Sequence, residues 1–225
     1  MFANRTDAGQ RLAAELMRFK GESPCVLALP RGGVPVGIEI AKALDAPLDL
    51  VLVRKIGAPD QPELAVGAVV DGGRPEVVLN DDIIRVLELP EQYIAEESAR
   101  QLKEIERRRQ VYLAGRPRVD VAGRTALIVD DGIATGATIR AAILATRRAQ
   151  PKRLILAVPV APTDTVAALR KESDEVVCLE EHDPFGAIGY YYFDFRQVSD
   201  DTVRDLMAQA AMLTPAPEAT SKNVA

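Results

Sequence analysis

Two aspartates, Asp130 and Asp131, follow the apolar run Thr125-Ala126-Leu127-Ile128-Val129 and lead into Gly132-Ile133-Ala134-Thr135-Gly136-Ala137-Thr138. Carboxylates at the end of a buried strand can accept hydrogen bonds from neighbouring hydroxyls or hold a hard cation such as magnesium. Thr135, Gly136, Ala137 and Thr138 then offer small side chains, hydroxyls and free backbone N–H groups at the start of a helical pattern, a ready anion site. Together the two halves fit a sugar with vicinal hydroxyls and a phosphate. The bland alternative is an acidic strand end with a threonine cap. A Gly-Lys-Ser/Thr phosphate loop and a Gly-x-Gly-x-x-Gly dinucleotide turn are both missing from the sequence, which sets those rivals aside.

Other residues could converge on the same ligand. The turn Pro30-Arg31-Gly32-Gly33 follows the apolar run Cys25 to Leu29, where backbone N–H groups and one guanidinium can meet an anion. Arg54-Lys55 closes a second apolar run, and Gly57 to Leu64, with two prolines and a glycine, has the composition of a loop. Six of the ten aromatic residues fall between Phe185 and Phe195, so a planar ligand could stack on Phe185 or Tyr190, although lid packing accounts for such rings as well.

The elements that must hold these residues are legible as alternation. Strand candidates at 25–29, 48–53, 66–70, 125–129, 154–158 and 175–179 are interleaved with helical patterns at 35–44, 139–149 and 163–171. That order predicts an α/β fold with a mostly parallel, Rossmann-like sheet flanked by helices. An amphipathic helix capped by Thr6 or Asp7 opens the chain, with Leu12, Leu16 and Phe19 on its apolar side. A short helix capped by Asn80 and a long one from Pro90 to about Leu113 form a helical insertion near 80–115, with Glu96/Arg100 and Glu104/Arg108 at supportive spacing. One domain over 1–213 is expected, with hood elements near 1–20 and 180–213 and a flexible tail over 214–225. The candidate loops all follow strands, and ligands of open parallel sheets gather at the strands' carboxyl ends.

Composition narrows the class. The 225 residues carry a formal charge of -5 with basic and acidic residues interspersed, which lacks the footprint of a nucleic-acid binder. Arg107-Arg108-Arg109 lies among glutamates and reads as a solvated helix face. One histidine, His182, and two cysteines, Cys25 and Cys178, in apolar runs give no zinc set and no disulfide framework. No apolar run reaches membrane-spanning length and the first residues lack a signal-peptide core, so a cytoplasmic location without membrane partners is expected.

The run Leu127 to Thr138, a hydrophobic strand, two acids, three positions and then Thr-Gly-x-Thr, resembles the phosphoribosyl pyrophosphate (PRPP) motif of the type I phosphoribosyltransferases. Pro-Arg-Gly-Gly at 30–33 and Arg-Lys-x-Gly-Ala-Pro at 54–59 resemble a bacterial subgroup of that family. The resemblance implies that Asp130 and Asp131 bind the ribose hydroxyls and Ala134, Thr135, Gly136, Ala137 and Thr138 wrap the 5-phosphate. It further implies that Pro30, Arg31, Gly32, Gly33 and Lys55 meet the diphosphate, and that Mg2+ joins the donor with Asp130 and Asp131 as candidate ligands. A hood would receive a nitrogenous acceptor, and the assembly would be a homodimer. Enzymes of the family that act on 6-oxopurines place a carboxylate just before Thr-Gly; the residue here is Ala134, which argues against hypoxanthine or guanine. The expected activity is transfer of ribose 5-phosphate from PRPP to a nitrogenous acceptor, a nucleobase favoured; the alternative is a regulatory module that only binds PRPP or a nucleotide.

Overall fold

The computed structural model describes residues 1–59, 61–72 and 74–213; the expected tail at 214–225 lies outside them. Five strands, β1 (Pro24–Ala28), β2 (Leu48–Leu50), β6 (Thr125–Val129), β7 (Arg153–Pro162) and β8 (Glu175–His182), form a sheet in the order β2-β1-β6-β7-β8. Every pairing in it is parallel. β1 and β6 are buried at every position, the pattern of strands covered on both faces.

Alternation along these strands builds two cores. Val26, Ala28, Leu127, Val129, Ile155 and Ala157 pack with helices α1 (Arg5–Leu16), α2 (Gly33–Leu44) and α7 (Asp200–Leu213). Cys25, Leu27, Ala126, Ile128, Leu154 and Leu156 pack on the other face with α5 (Ala137–Arg148) and α6 (Thr163–Leu169). Cys25 is buried and Cys178 partly so, and burial pushes both thiols up to about 12. The period-two side-chain pattern thus sends consecutive residues of one short strand into different cores.

From β1 the chain crosses outward to β2, whereas from β6 it crosses the other way to β7. The strand order therefore reverses between β1 and β6, the point where ligands of open parallel sheets bind. The register Ala28↔Val129 sets those two ends side by side.

Between β2 and β6 lies an elaboration: β3 (Leu52–Ala58), β4 (Gln61–Gly72) and β5 (Arg74–Leu79) in a three-stranded antiparallel sheet, then α3 (Asp81–Val86) and α4 (Glu91–Leu113). Both helices fall where helical patterns are expected, and the Asn80 side chain caps α3 by accepting from the N–H of Ile83.

Four local expectations are corrected. The apolar run 48–53 is split, because β2 ends at Leu50 and the chain leaves the parallel sheet for β3. Gly57 to Leu64 is not an irregular loop: β3 runs to Ala58 and β4 starts at Gln61, with register shifts around Gly57 that let the hairpin absorb the irregular composition. The cap of α1 is Asn4, which accepts from the Asp7 N–H, rather than Thr6 or Asp7. Arg109 is not on a solvated face; it is buried against Asp71, while Arg107 and Arg108 do pair with Glu104. Among the described residues no helix is long and apolar enough to cross a membrane.

Candidate active site at the strand-order reversal

The acidic pair leaves β6 and the Pro30-to-Gly33 turn leaves β1, so the two sit against each other at the reversal point. Their approach is too close for side chains. A Cβ on Gly32 would lie 2.5 Å from Asp131 Cγ, and one on Gly33 would lie 2.6 Å from the Val129 carbonyl oxygen and 2.9 Å from Asp130 Cα. Both glycines are thus required by packing, since each φ here is accessible to other residues. The Pro30–Arg31 peptide is cis. The Gly33 N–H donates to the Leu29 carbonyl at 3.0 Å, closing the turn onto the start of α2.

The two acids have different surroundings. Asp130 Oδ1 accepts from the Asp131 N–H at 2.8 Å. Desolvation, followed by the neighbouring Asp131 charge, raises the Asp130 carboxyl well above the usual carboxylate range. Asp131 is buried, and its Oδ2 accepts from Arg5 Nε at 2.7 Å. Its backbone carbonyl accepts from the Tyr192 hydroxyl at 2.6 Å. A cation or hydroxyl donors brought to this pair would relieve the repulsion between its carboxylates.

Farther along, Gly136 takes a left-handed φ of 76° as the N-cap of α5, with no side-chain cap. Ala134, Thr135, Ala137 and Thr138 are exposed around it. The first N–H groups of α5 have no carbonyl of the preceding turn to meet, so they are available to an anion. Arg140 steadies this loop by donating to the Thr135 carbonyl at 3.2 Å and to Glu172 at 2.9 Å.

Arg31 is held from behind. Its Nη1 lies 3.4 Å from Asp200 Oδ1, which also accepts the Tyr112 hydroxyl at 2.7 Å. Burial and that bond push Tyr112 up to about 12, and the same bond is the main cause that lowers Asp200. The side chain expected to meet an anion is therefore tied to the first turn of α7 and the end of α4.

The first residues of the chain pack on the segment 191–193. Phe2 pairs its backbone with Tyr191 and Phe193, and the Phe2 and Tyr192 rings lie 5.3 Å apart. A cavity of about 400 Å³ is lined by Arg5, Arg31, Gly32, Asp131, Phe195, Gln197 and Val198. Phe185 instead stacks on Tyr191, which also stacks on His182, and Tyr190 is exposed. Lys55 stands exposed on β3 opposite Ala68 and is not among the residues that line the cavity.

The structure therefore brings together Arg31, Gly32, Gly33, Asp130 and Asp131, with Ala134 to Thr138 continuing the same loop into α5. It adds Arg5, Tyr192, Phe195 and Gln197, none of which lies in a recognisable motif. The aromatic enrichment points to the right segment for Tyr192 and Phe195; for Arg5 the sequence carries no signal. Among the described residues no group of three or more acidic, histidine or cysteine side chains could hold a metal ion. The protein supplies at most a pair of carboxylates there.

A parallel sheet flanked by helices, with an acidic pair and a helix N-terminus at its strand-order reversal, defines a doubly wound α/β protein. The phosphoribosyl transferase domain profile matches residues 3–194, and the chain belongs to that family. A Mycobacterium tuberculosis protein that carries the provisional name phosphoribosyl transferase is 47% identical over 203 residues, 90% of this chain and 45% of that protein. The chain thus spans about half the length of the curated relatives it matches. The crystal structure of TT1426 from Thermus thermophilus superimposes with a TM-score of 0.80 at 42% identity, over 93% of this chain and 98% of that one.

Proposed function

We propose that the protein transfers ribose 5-phosphate from PRPP to a nitrogenous acceptor, a nucleobase favoured, and works as a homodimer in the cytoplasm. The observation that carries this reading is the packing of the Arg31-Gly32-Gly33 turn directly on the Asp130-Asp131 pair. A donor bound across them would have its ribose hydroxyls at the carboxylates, its 5-phosphate at the N–H groups of 135–138 and its diphosphate toward Arg31. Lys55 would join the diphosphate if the β3–β4 hairpin closes over the site.

In the transfer the bond from the anomeric carbon to the diphosphate oxygen breaks, its electron pair leaving with diphosphate. The acceptor nitrogen's lone pair forms the new C–N bond, and its surplus proton passes to solvent or a base. Positive charge on the ribose ring in the transition state is favoured by the nearby carboxylates, and the leaving charge by Arg31. Magnesium, when bound with the donor, would neutralise diphosphate charge; Asp130 and Asp131 would hold it together with donor oxygens. Ala134 brings no proton chemistry to the acceptor.

Calorimetric titration of PRPP with and without Mg2+ tests the reading. Saturable, magnesium-dependent binding is expected, and Asp130→Asn and Asp131→Asn should each weaken it by about tenfold, the worth of one charge-assisted contact. Absence of binding in both conditions would overturn the donor assignment and favour a module that binds another nucleotide. Tyr112→Phe should leave the fold within about 1 kcal/mol but weaken donor binding roughly two- to fivefold, because Asp200 loses the hydroxyl that orients it toward Arg31. Unchanged affinity in that variant would mean Arg31 needs no such anchor.

A further inference from the structure

Arg5 occupies two ligand surfaces at once. Its Nε donates to Asp131 Oδ2 at 2.7 Å and its Nη1 to the Arg196 carbonyl at 2.8 Å. The guanidinium lies 3.9 Å from the centroid of the Phe195 ring. The Arg5 and Asp131 side chains are only 11% and 12% exposed, so this pair is far from a solvated surface contact. Edge bonds to a carboxylate and face stacking on a ring together fix a guanidinium in one place. What Arg5 covers are the carboxylate that would accept a sugar hydroxyl and the aromatic face of the same cavity.

Resting on the donor reading above, we propose that Arg5 is a built-in stand-in for the ribose hydroxyls. Hydroxyls reaching Asp131 displace the guanidinium from Oδ2, and its release uncovers the face of Phe195 for a planar second substrate. Arg5 is thus a specificity residue that makes one half of the cavity depend on the other. A ligand with vicinal hydroxyls opens the Phe195 face; an anion without them does not. Because the ligand must compete with Arg5, its observed affinity is reduced by the fraction of molecules in which Asp131 is free.

The sequence contains no tryptophan, so Phe195→Trp creates a single indole at the ring in question, which red-edge excitation selects over the five tyrosines. Acrylamide quenching of that fluorophore should rise on addition of PRPP with Mg2+ or of ribose 5-phosphate, and stay unchanged with inorganic diphosphate. In the Arg5→Ala, Phe195→Trp double variant, quenching should be high from the start and no longer respond. With Phe195 intact, Arg5→Ala should tighten ribose 5-phosphate binding about three- to tenfold by calorimetry, the expected gain from removing an internal competitor held by an ion pair. Arg5→Lys, which keeps the charge but loses the forked geometry, should tighten binding less and serves if the alanine variant fails to fold. A bound donor that leaves the fluorophore unmoved, or an Arg5→Ala chain that binds ribose 5-phosphate more weakly, overturns the proposal while the donor reading stands. Failure of PRPP and ribose 5-phosphate to bind the unaltered chain overturns the donor reading and this proposal with it.

Discussion

Gly32→Ala is expected to weaken PRPP binding by about a hundredfold while the chain still folds, whereas Gly33→Ala, one residue away, is expected to damage the fold first. The difference lies in what each new methyl meets. At Gly32 the obstruction is the Asp131 carboxyl group, with Cγ 2.5 Å from the added carbon. A carboxyl can rotate, but this one is tied through Oδ2 to Arg5, and its residue is tied through the carbonyl to Tyr192. The methyl therefore displaces Asp131 from its place and narrows the crevice between it and Arg31, so two donor contacts are lost together at about tenfold each. At Gly33 the obstruction is backbone, the Val129 carbonyl and Asp130 Cα, which cannot turn aside without shifting β6. Overpacking of that kind costs about 1 to 3 kcal/mol. Thermal melts and calorimetry on both variants check the contrast. An alanine at 32 with unaltered donor affinity would mean the acidic pair does not meet the ligand where Gly32 packs on it.

How much of this is legible in the sequence follows from the range of the forces involved. The β6–α5 junction is readable to the residue, because a buried strand, its terminal acids and a helix start are encoded in consecutive positions. The parallel sheet is readable from alternation, and the convergence of the 30–33 and 130–138 loops from the rule that strand ends share a rim. The β3–β4 hairpin is not, since Gly57 and Pro59 suggest a loop and only cross-strand pairing, Gly57 with Ala65 and Ala58 with Gln61, holds the chain extended there. Lys55 is expected at the diphosphate from the family resemblance, and it stands at an exposed strand position that is not among the residues lining the cavity. Arg5 and Asp131 are 126 positions apart, and their contact depends on how the first helix docks against the sheet. Nothing in the sequence around Arg5 distinguishes it from Arg11 or Arg18, which lie at the surface. The aromatic segment is evident from composition, but which ring faces the cavity depends on the turn at Ile188–Tyr191, so Phe195 rather than Phe185 or Tyr190 lines it.

The same gap between local and distant information makes Asp71 the residue whose loss should cost the fold most. Its side chain is 1% exposed at the end of β4, where it meets Arg109 of α4 at 2.8 Å and also Arg118 from the stretch before β6. Asp49 of β2 stands beside them, 4.0 Å from Arg109 Nη2, and accepts the backbone N–H groups of Leu50 and Val119. The Asp71 carboxylate thus joins the antiparallel sheet to the long helix and to the stretch before β6, and Asp49 extends the cluster to the edge strand β2. Burial disfavours a bare charge here, as the lowering of Arg118 by desolvation illustrates. Arg109 Nη2 already lacks a hydrogen-bond partner among the described residues, so little spare acceptor capacity surrounds it. Asp71→Ala removes the charge common to both pairs and should lower unfolding free energy by about 3 to 5 kcal/mol, the penalty for leaving an ion buried without its partner. Arg118, 31% exposed on its side chain, can recover water, so Arg118→Ala should cost only about 1 kcal/mol. The double variant Asp71→Leu, Arg109→Met replaces the buried pair by apolar groups and should regain much of the loss. Chemical denaturation of the three variants tests the order. Equal costs for Asp71→Ala and Arg118→Ala would mean that the cluster is solvated in solution and that apolar packing alone joins the antiparallel sheet to the core.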